Sequence, residues 1–325
     1  MVDYPSNQPA GKKVAVVVPV KNDAQRLAVM LASLSKQTVE HEVIIVDNGS
    51  SDDSPSVGIP YGAKVLDGPG LRVGAMRNLG VAQTQAELLA FCDSDHEVPE
   101  DWLESAIASL AKHPGKTMVG APCLPPIKST WVQSVWAIHR LRAMNHGAFE
   151  TEWLGAGNMI LYRRDFLEIG GFSENLVASE DVDLCHRLRA VGGRVICDPS
   201  IRNYHHGEPK SIRNFLQKEY WRGSSGIKSW VKLGFPLSEV PSLVWPLWHL
   251  LVPIVGLLLV FVALLKNLYL AAGLGLLSTA VVWFAPALAL AVKNARSLGP
   301  KTMLQLATLY FVYGLARAGA LFKGW

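Results

Sequence analysis

Residues 241–265 (PSLVWPLWHLLVPIVGLLLVFVALL) and 268–292 (LYLAAGLGLLSTAVVWFAPALALAV) contain no Asp, Glu, Lys or Arg. Each exceeds the roughly 18–20 apolar residues that cross a bilayer core. Core helices of soluble proteins are shorter and keep a polar face, so two such runs in succession predict membrane-spanning helices. A third run, 303–322 (MLQLATLYFVYGLARAGALF), is long enough but contains Arg317. It either spans as well or lies in the interface with its arginine snorkelling to water. Half of the 325 residues are hydrophobic, and the excess over an ordinary soluble chain sits in this block.

Lys210, Arg213, Lys218, Arg222, Lys228 and Lys232 precede the block, and Lys293, Arg296 and Lys301 follow its second run. The excess of positive charge places both flanks in the cytoplasm and makes Lys266-Asn267 a tight external turn. The start, MVDYPSNQPAGKK, lacks the apolar core of a signal peptide. The first 240 residues are therefore expected on the cytoplasmic side of the cell membrane, with 1–11 as a flexible start. Cys92, Cys123, Cys185 and Cys197 show no Cys-x-x-Cys spacing, so neither a disulfide nor a zinc site is expected. Net charge is only +4. Within 209–240 the basic residues are interleaved with Phe215, Trp221 and Trp230, a mixture suited to the headgroup layer and anionic lipid. No nucleic-acid motif accompanies them, and nucleic acid is not an expected partner.

Ahead of the membrane block the pattern changes. VAVVVP (14–19), EVIIVD (42–47), AKVL (63–66) and LLAFC (88–92) read as strands, the first a continuous β-branched run and the first two buried. Helical patterns over 23–36, 71–83 and 99–112 alternate with them. Such alternation predicts an α/β fold with a mostly parallel sheet flanked by helices. Ligands of such sheets bind beyond the carboxyl ends of the strands, where Asp47, Asp93 and Asp95 fall. Further on, 153–165 (WLGAGNMILYRRD) predicts a glycine-rich loop and a strand. Residues 178–193 predict a helix with an acidic start and a glycine stop, and RVICDP (194–199) and IRNYHH (201–206) two short strands.

Four stretches carry chemistry. AFCDSDH (90–96) ends a buried strand in two carboxylates one residue apart. They repel and resist desolvation unless something positive sits between them, and hard oxygen ligands suit Mg2+ or Mn2+. In VDNGSSD, Asp47 can accept hydrogen bonds from the N–H groups of a base; an Asx turn explains the same residues locally. In VASEDVDLCHRL (177–188), Glu180, Asp181 and Asp183 crowd a helix start. Dipole complementarity accounts for one or two acids, and a carboxylate here can also take a proton from an attacking hydroxyl. In NYHHGEPKS (203–211), His205 and His206 point to opposite faces of a strand, so one at most meets the site.

Taken in order, VVVPVKND, VDNGSSD, GAMRNLG, FCDSDHEVPEDWLE, GAGNMILYRRDFLEIGGF and SEDVDLCHRL resemble the pattern of glycosyltransferase family 2, over about residues 12–206. The resemblance implies a GT-A fold for a catalytic domain at 12–208, followed by a juxtamembrane segment at 209–240 and a membrane region at 241–325. It implies a nucleotide-sugar donor, with Pro19, Val20, Asn22, Asp47, Arg77, Asp93 and Gly157 around it: Asp47 at the base and Arg77 near base and diphosphate. It implies Mg2+ or Mn2+ held by Asp95, with Asp93, His205 and His206 as further candidates. Glu180 and Asp181 match the Glu-Asp pair, with Asp181 as the base.

The expected reaction is inverting transfer of one sugar to a lipid-linked or glycolipid acceptor, in cell-envelope glycan or glycolipid synthesis. Membrane lipids and other membrane proteins are the expected surroundings. Processive synthases of the family carry Gln-x-x-Arg-Trp, whereas Gln217-Lys-Glu-Tyr-Trp-Arg222 alters that order, and two or three spans are too few to enclose a polymer channel. A processive synthase subunit and a membrane-tethered scaffold that binds nucleotide-sugar without turnover are the rival readings. A nucleotidyltransferase would want a glycine-rich phosphate loop, and PVKNDAQR has no glycine.

Overall fold

A computed structural model describes residues 14–141, 147–223 and 240–323. The stretch 1–11 and the basic-aromatic residues Lys228, Trp230 and Lys232 lie outside the described residues. The chain divides into two compact units. The first holds residues up to Leu124 together with Ala143–Gly207, and the second holds Pro125–Arg142 together with Glu208 onward.

The first unit is built on β1 (Val14–Val20), β2 (His41–Asp47), β3 (Lys64–Asp67), β4 (Leu88–Cys92), β5 (His96–Glu97), β6 (Thr117–Gly120), β7 (Phe149–Glu150), β8 (Asn158–Tyr162), β9 (Arg194–Cys197) and β10 (Tyr204–His205). Eight strands form one sheet in the order β3-β2-β1-β4-β8-β6-β9-β7. All seven residues of β1 are buried. Alternate side chains enter different cores: Val14, Val16, Val18 and Val20 one, Ala15 and Val17 the other. A strand at the centre of a covered sheet has no solvent face, which is why its sequence does not alternate.

Helices α1 (Ala24–Leu34), α2 (Ser54–Val57), α3 (Val73–Ala82), α4 (Trp102–Lys112), α6 (Arg163–Glu168) and α7 (Glu180–Ala190) belong to this unit, and α5 (Trp131–Leu141) to the other. Leu27, Met30, Leu31 and Leu34 of α1 share the first core with Trp102, Leu103 and Leu110 of α4. Met76 and Val81 of α3, Phe166 of α6 and Leu184 and Leu188 of α7 share the second. The sheet thus carries helices on both faces, as its pattern predicts.

It is parallel through β3, β2, β1 and β4, and again between β6 and β9. Two strands depart: the edge strand β7 is antiparallel to β9, and β8 is antiparallel to both β4 and β6, so that Cys92 pairs with Asn158. That reversal lays the glycine loop 155–157 beside the carboxyl end of β4. A second, two-stranded sheet pairs β5 antiparallel with β10, setting His96 opposite His205.

The second unit contains α5, α8 (Ile212–Gly223), α9 (Val240–Leu265), α10 (Tyr269–Ala295) and α11 (Pro300–Ala320). Segments Val244–Leu265 and Tyr269–Leu298 are long and apolar enough to cross a membrane. Both are mostly exposed, unlike the core helix of a soluble protein. Pro246, Pro253 and Pro286 lie inside them, a placement tolerated far better in spanning helices than in soluble ones. The third apolar run forms α11, whose Leu306, Ala307, Leu309, Tyr310 and Val312 pack with Trp136 of α5 and Phe215 of α8. Its Arg317 pairs with the buried Glu219 of α8 at 2.8 Å, and Glu219 also holds Arg222 at 2.6 Å. The charge of the third run is met by a carboxylate of a neighbouring helix.

Candidate active site

The carboxyl ends of β1, β2 and β4 share one rim. Parallel register sets Val20 beside Asp47 and Val17 beside Phe91. Beyond β1, Asn22 adopts a left-handed conformation at φ 52°. Its backbone N–H donates to Ser50 Oγ at 2.8 Å, and its Oδ1 accepts from the Ser51 N–H at 2.7 Å. These bonds lace the loops after β1 and β2 together, while Pro19 and Val20 stay buried in the strand. Asp47, 3% exposed, accepts the Ser50 N–H on Oδ2 at 2.8 Å. Its Oδ1 is buried and has no hydrogen-bond partner among the described residues. A buried carboxylate oxygen left so is an acceptor awaiting a donor.

Arg77, on α3, is 3% exposed. Its Nη1 donates to Glu180 Oε1 and its Nη2 to Asp93 Oδ1, each at 2.8 Å. Burial opposes its charge, yet Asp93 and Glu180 raise its pKa. Asp93 shows the reciprocal balance: burial favours its neutral form, but Arg77 holds it below the usual carboxylate range. Arg77 therefore clamps the end of β4 to the start of α7.

Asp95, His96 and His205 form a second cluster, with one ligand atom from each within 4.8 Å of the others. His205 Nε2 lies 3.1 Å from Asp95 Oδ2, and the two imidazole rings meet edge-on with centroids 4.7 Å apart. Burial would raise the Asp95 pKa, but the His205 hydrogen bond and the charges of His205, His96 and Arg26 hold it far below the ordinary value. Burial, helped by His205, pushes His96 down to about 4. Gly207 packs directly on Asp95 Oδ2, where a Cβ would overlap it. His206 turns the other way and bonds Glu97 at 2.8 Å.

Ser179, at φ 66°, turns the chain immediately before α7. A non-glycine residue held there costs about 1–3 kcal/mol and is typical of functional turns. Glu180 is buried on Arg77. Asp181 Oδ1 accepts the Val182 N–H at 2.8 Å, and its Oδ2 faces Gly155. Burial and the neighbouring Glu180 charge push Asp181 up to about 6, so a large fraction is ionised near neutrality and can accept a proton.

The loop 155–157 joins the two clusters. Asp181 lies against Gly155, whereas a Cβ on Gly157 would stand 2.8 Å from Asp93 Oδ2 and collide with the His96 ring. Neither neighbour can yield readily, since Asp93 is held by Arg77 and His96 is 2% exposed. Gly157→Ala is expected to displace one of them and to cost about 1–3 kcal/mol of stability, as read by thermal unfolding.

The structure thus brings Asp93, Arg77 and Glu180 into one network and Asp95 and His205 into another, with Asp47 farther along the rim and His206 outside both. Two neighbours were not anticipated. His96 stands inside the Asp-Ser-Asp-His motif, but its place opposite His205 follows from the pairing of β5 with β10. Arg26, on α1, reaches within 3.6 Å of Asp95 Oδ2.

Residues 15–170, a little under half of the chain, match the family described as Glycosyl transferase family 2. The pre-mycofactocin glycosyltransferase of Mycobacterium tuberculosis is 27% identical over 234 residues, covering 68% of this chain and 48% of that protein. Glycosyltransferase AglE of Haloferax volcanii is 24% identical over 252 residues, covering 73% of this chain and 80% of that protein. The chain spans about half the length of the mycobacterial relative. Among solved structures, the mannosyltransferase PcManGT from Pyrobaculum calidifontis, in complex with GDP-Man and Mn2+, superposes with a TM-score of 0.59. Identity there is 18%, with 96% of this chain and 86% of that one covered.

Proposed function

The chain belongs to glycosyltransferase family 2 and carries the GT-A fold, and from that premise we propose that it moves one sugar from a nucleotide-sugar to a lipid-linked acceptor, with inversion at the anomeric carbon. The observation that carries this reading is the glycine loop, which sets the proton-accepting Asp181 beside one end of a short turn and the Asp93 and Asp95 loop beside the other.

Asp47 offers its unpaired Oδ1 to the N–H groups of the donor base. Asp93, oriented by Arg77, faces the donor ribose or sugar. The donor set of Asp95 and His205 fits a divalent cation, since a carboxylate oxygen and an imidazole nitrogen converge at 3.1 Å. Mg2+ or Mn2+ bound there supplies charge compensation for the diphosphate leaving group. Arg26 adds a positive side chain next to Asp95. Asp181 takes the proton of the acceptor hydroxyl, and the hydroxyl oxygen forms its bond to the anomeric carbon. The bond from that carbon to the nucleoside diphosphate breaks on the opposite side. Two helices long and apolar enough to span a membrane support an acceptor presented by the bilayer. The lysines and arginines on both flanks support a catalytic unit on the cytoplasmic side of the cell membrane.

The test is a panel of UDP-, GDP- and dTDP-sugars given to membranes containing the protein, with and without EDTA. Release of nucleotide and labelling of the lipid fraction, both abolished by EDTA, are expected for one donor. No nucleotide release from any donor would favour a binding scaffold. Asp95→Ala is expected to weaken metal-dependent donor binding by at least about tenfold; unchanged metal affinity counts against Asp95.

A further inference from the structure

The motif Asp-Ser-Asp-His offers two carboxylates, which the fold engages differently. Asp93 Oδ1 is engaged by Arg77 at 2.8 Å, whereas Asp95 lies between two imidazoles. We propose that His96 is a third protein ligand of the metal, and that the resulting site of two histidines and one carboxylate prefers a first-row transition ion to Mg2+. This rests on the metal-dependent reading above.

The tautomer of His96 is set by its surroundings. Its Nδ1 lies 2.8 Å from the Gly157 carbonyl oxygen. A carbonyl can only accept, so Nδ1 carries the proton and Nε2 presents a lone pair. An Nδ1–H bond to a backbone carbonyl is the usual way in which a metal-binding imidazole is oriented. Nε2 then faces Asp95 Oδ1 at 3.7 Å, too far for a hydrogen bond. Two electron-rich atoms aimed at one space call for a cation between them.

The fold also holds the group rigid. His96 and His205 are direct cross-strand partners in the β5–β10 pair, His96 is 2% exposed, and Gly157 and Gly207 keep side-chain bulk away from the cluster. His206 is drawn off by Glu97. Imidazole suits iron, nickel, copper and zinc, with Mn2+ at the weak end of the first-row order, whereas Mg2+ favours an all-oxygen octahedral shell and surrenders its waters reluctantly. Two nitrogens and one oxygen therefore shift preference away from Mg2+.

Full-length protein in lipid nanodiscs is titrated with MnCl2, and bound ion is followed by electron paramagnetic resonance. The 14N modulation of the Mn2+ spin echo counts coordinated imidazoles. Wild type is expected to show two, and His96→Gln and His205→Gln one each. Mn2+ affinity in His96→Gln is expected to fall at least about tenfold, and Mg2+ to displace Mn2+ only in large excess. A single imidazole in wild type, or displacement by Mg2+ at equal concentration, overturns the inference even if His96→Gln misfolds. Absence of any bound Mn2+ overturns instead the metal-dependent reading on which it rests.

Discussion

Asp181→Asn is expected to lower transfer to a hydroxyl acceptor by about 100- to 10,000-fold while donor binding survives. Asparagine keeps the shape and can still accept the Val182 N–H on its amide oxygen, but it has no basic oxygen for the acceptor proton. Wild-type activity should also report this group through pH. Burial and Glu180 push Asp181 up to about 6, so below that pH the carboxyl is protonated and cannot act as base. Rate therefore rises with pH through about 6 and then levels. The check is a pH–rate profile for both proteins: the acid limb belongs to Asp181 if the residual rate of the variant lacks it. Near-normal turnover on a hydroxyl acceptor would remove Asp181 from the role. A phosphate acceptor, already ionised, would be far less sensitive, so the same variant reports the acceptor's chemistry.

Arg77→Ala is expected to destabilise the first unit strongly. Arg77 makes 2.8 Å bonds to Glu180 and Asp93 from a side chain that is 4% exposed. Removing it leaves the buried Glu180 side chain without its partner, a situation that costs about 3–5 kcal/mol. The Asp93 arm adds less, because that carboxylate is part-exposed and water screens it. Arg77→Lys should recover only part of the loss, since one ammonium cannot reproduce a fork that reaches two carboxylates. Thermal unfolding followed by circular dichroism ranks the three proteins as wild type, Lys, Ala. Equal stability of Ala and wild type would mean that the clamp contributes nothing. The same replacement should move the acid limb described above to higher pH, because the Arg77 charge opposes the rise in the Asp181 pKa.

Much of the architecture was legible because it is written in local periodicity. VAVVVPV could only be a strand covered on both faces, and the runs at 241–265 and 268–292 only long apolar helices. The ends of the parallel strands are likewise marked, so Asp47 and the Asp93 loop fell on one rim before any distance was known. What the pattern did not disclose were contacts between residues far apart in the chain. Arg77 meets Glu180 across 103 positions and His205 meets Asp95 across 110. Neither follows from spacing, because each depends on which strand lies beside which.

The antiparallel insertion of β8 is of the same kind. Its sequence, NMILY, is that of any buried strand; its direction is seen only in its antiparallel pairing with β4 and β6, and that direction carries Gly157 to His96. Alternation along a strand could say that only one of His205 and His206 would face a site. The choice of His205 came from the pairing with β5, and so did the place of His96 beside it and Asp95. Chain periodicity thus dictated the kinds of elements and the rim where chemistry gathers. The assembled sheet decided which side chains converge there, because close approach of charged groups is a property of packing and not of order along the backbone.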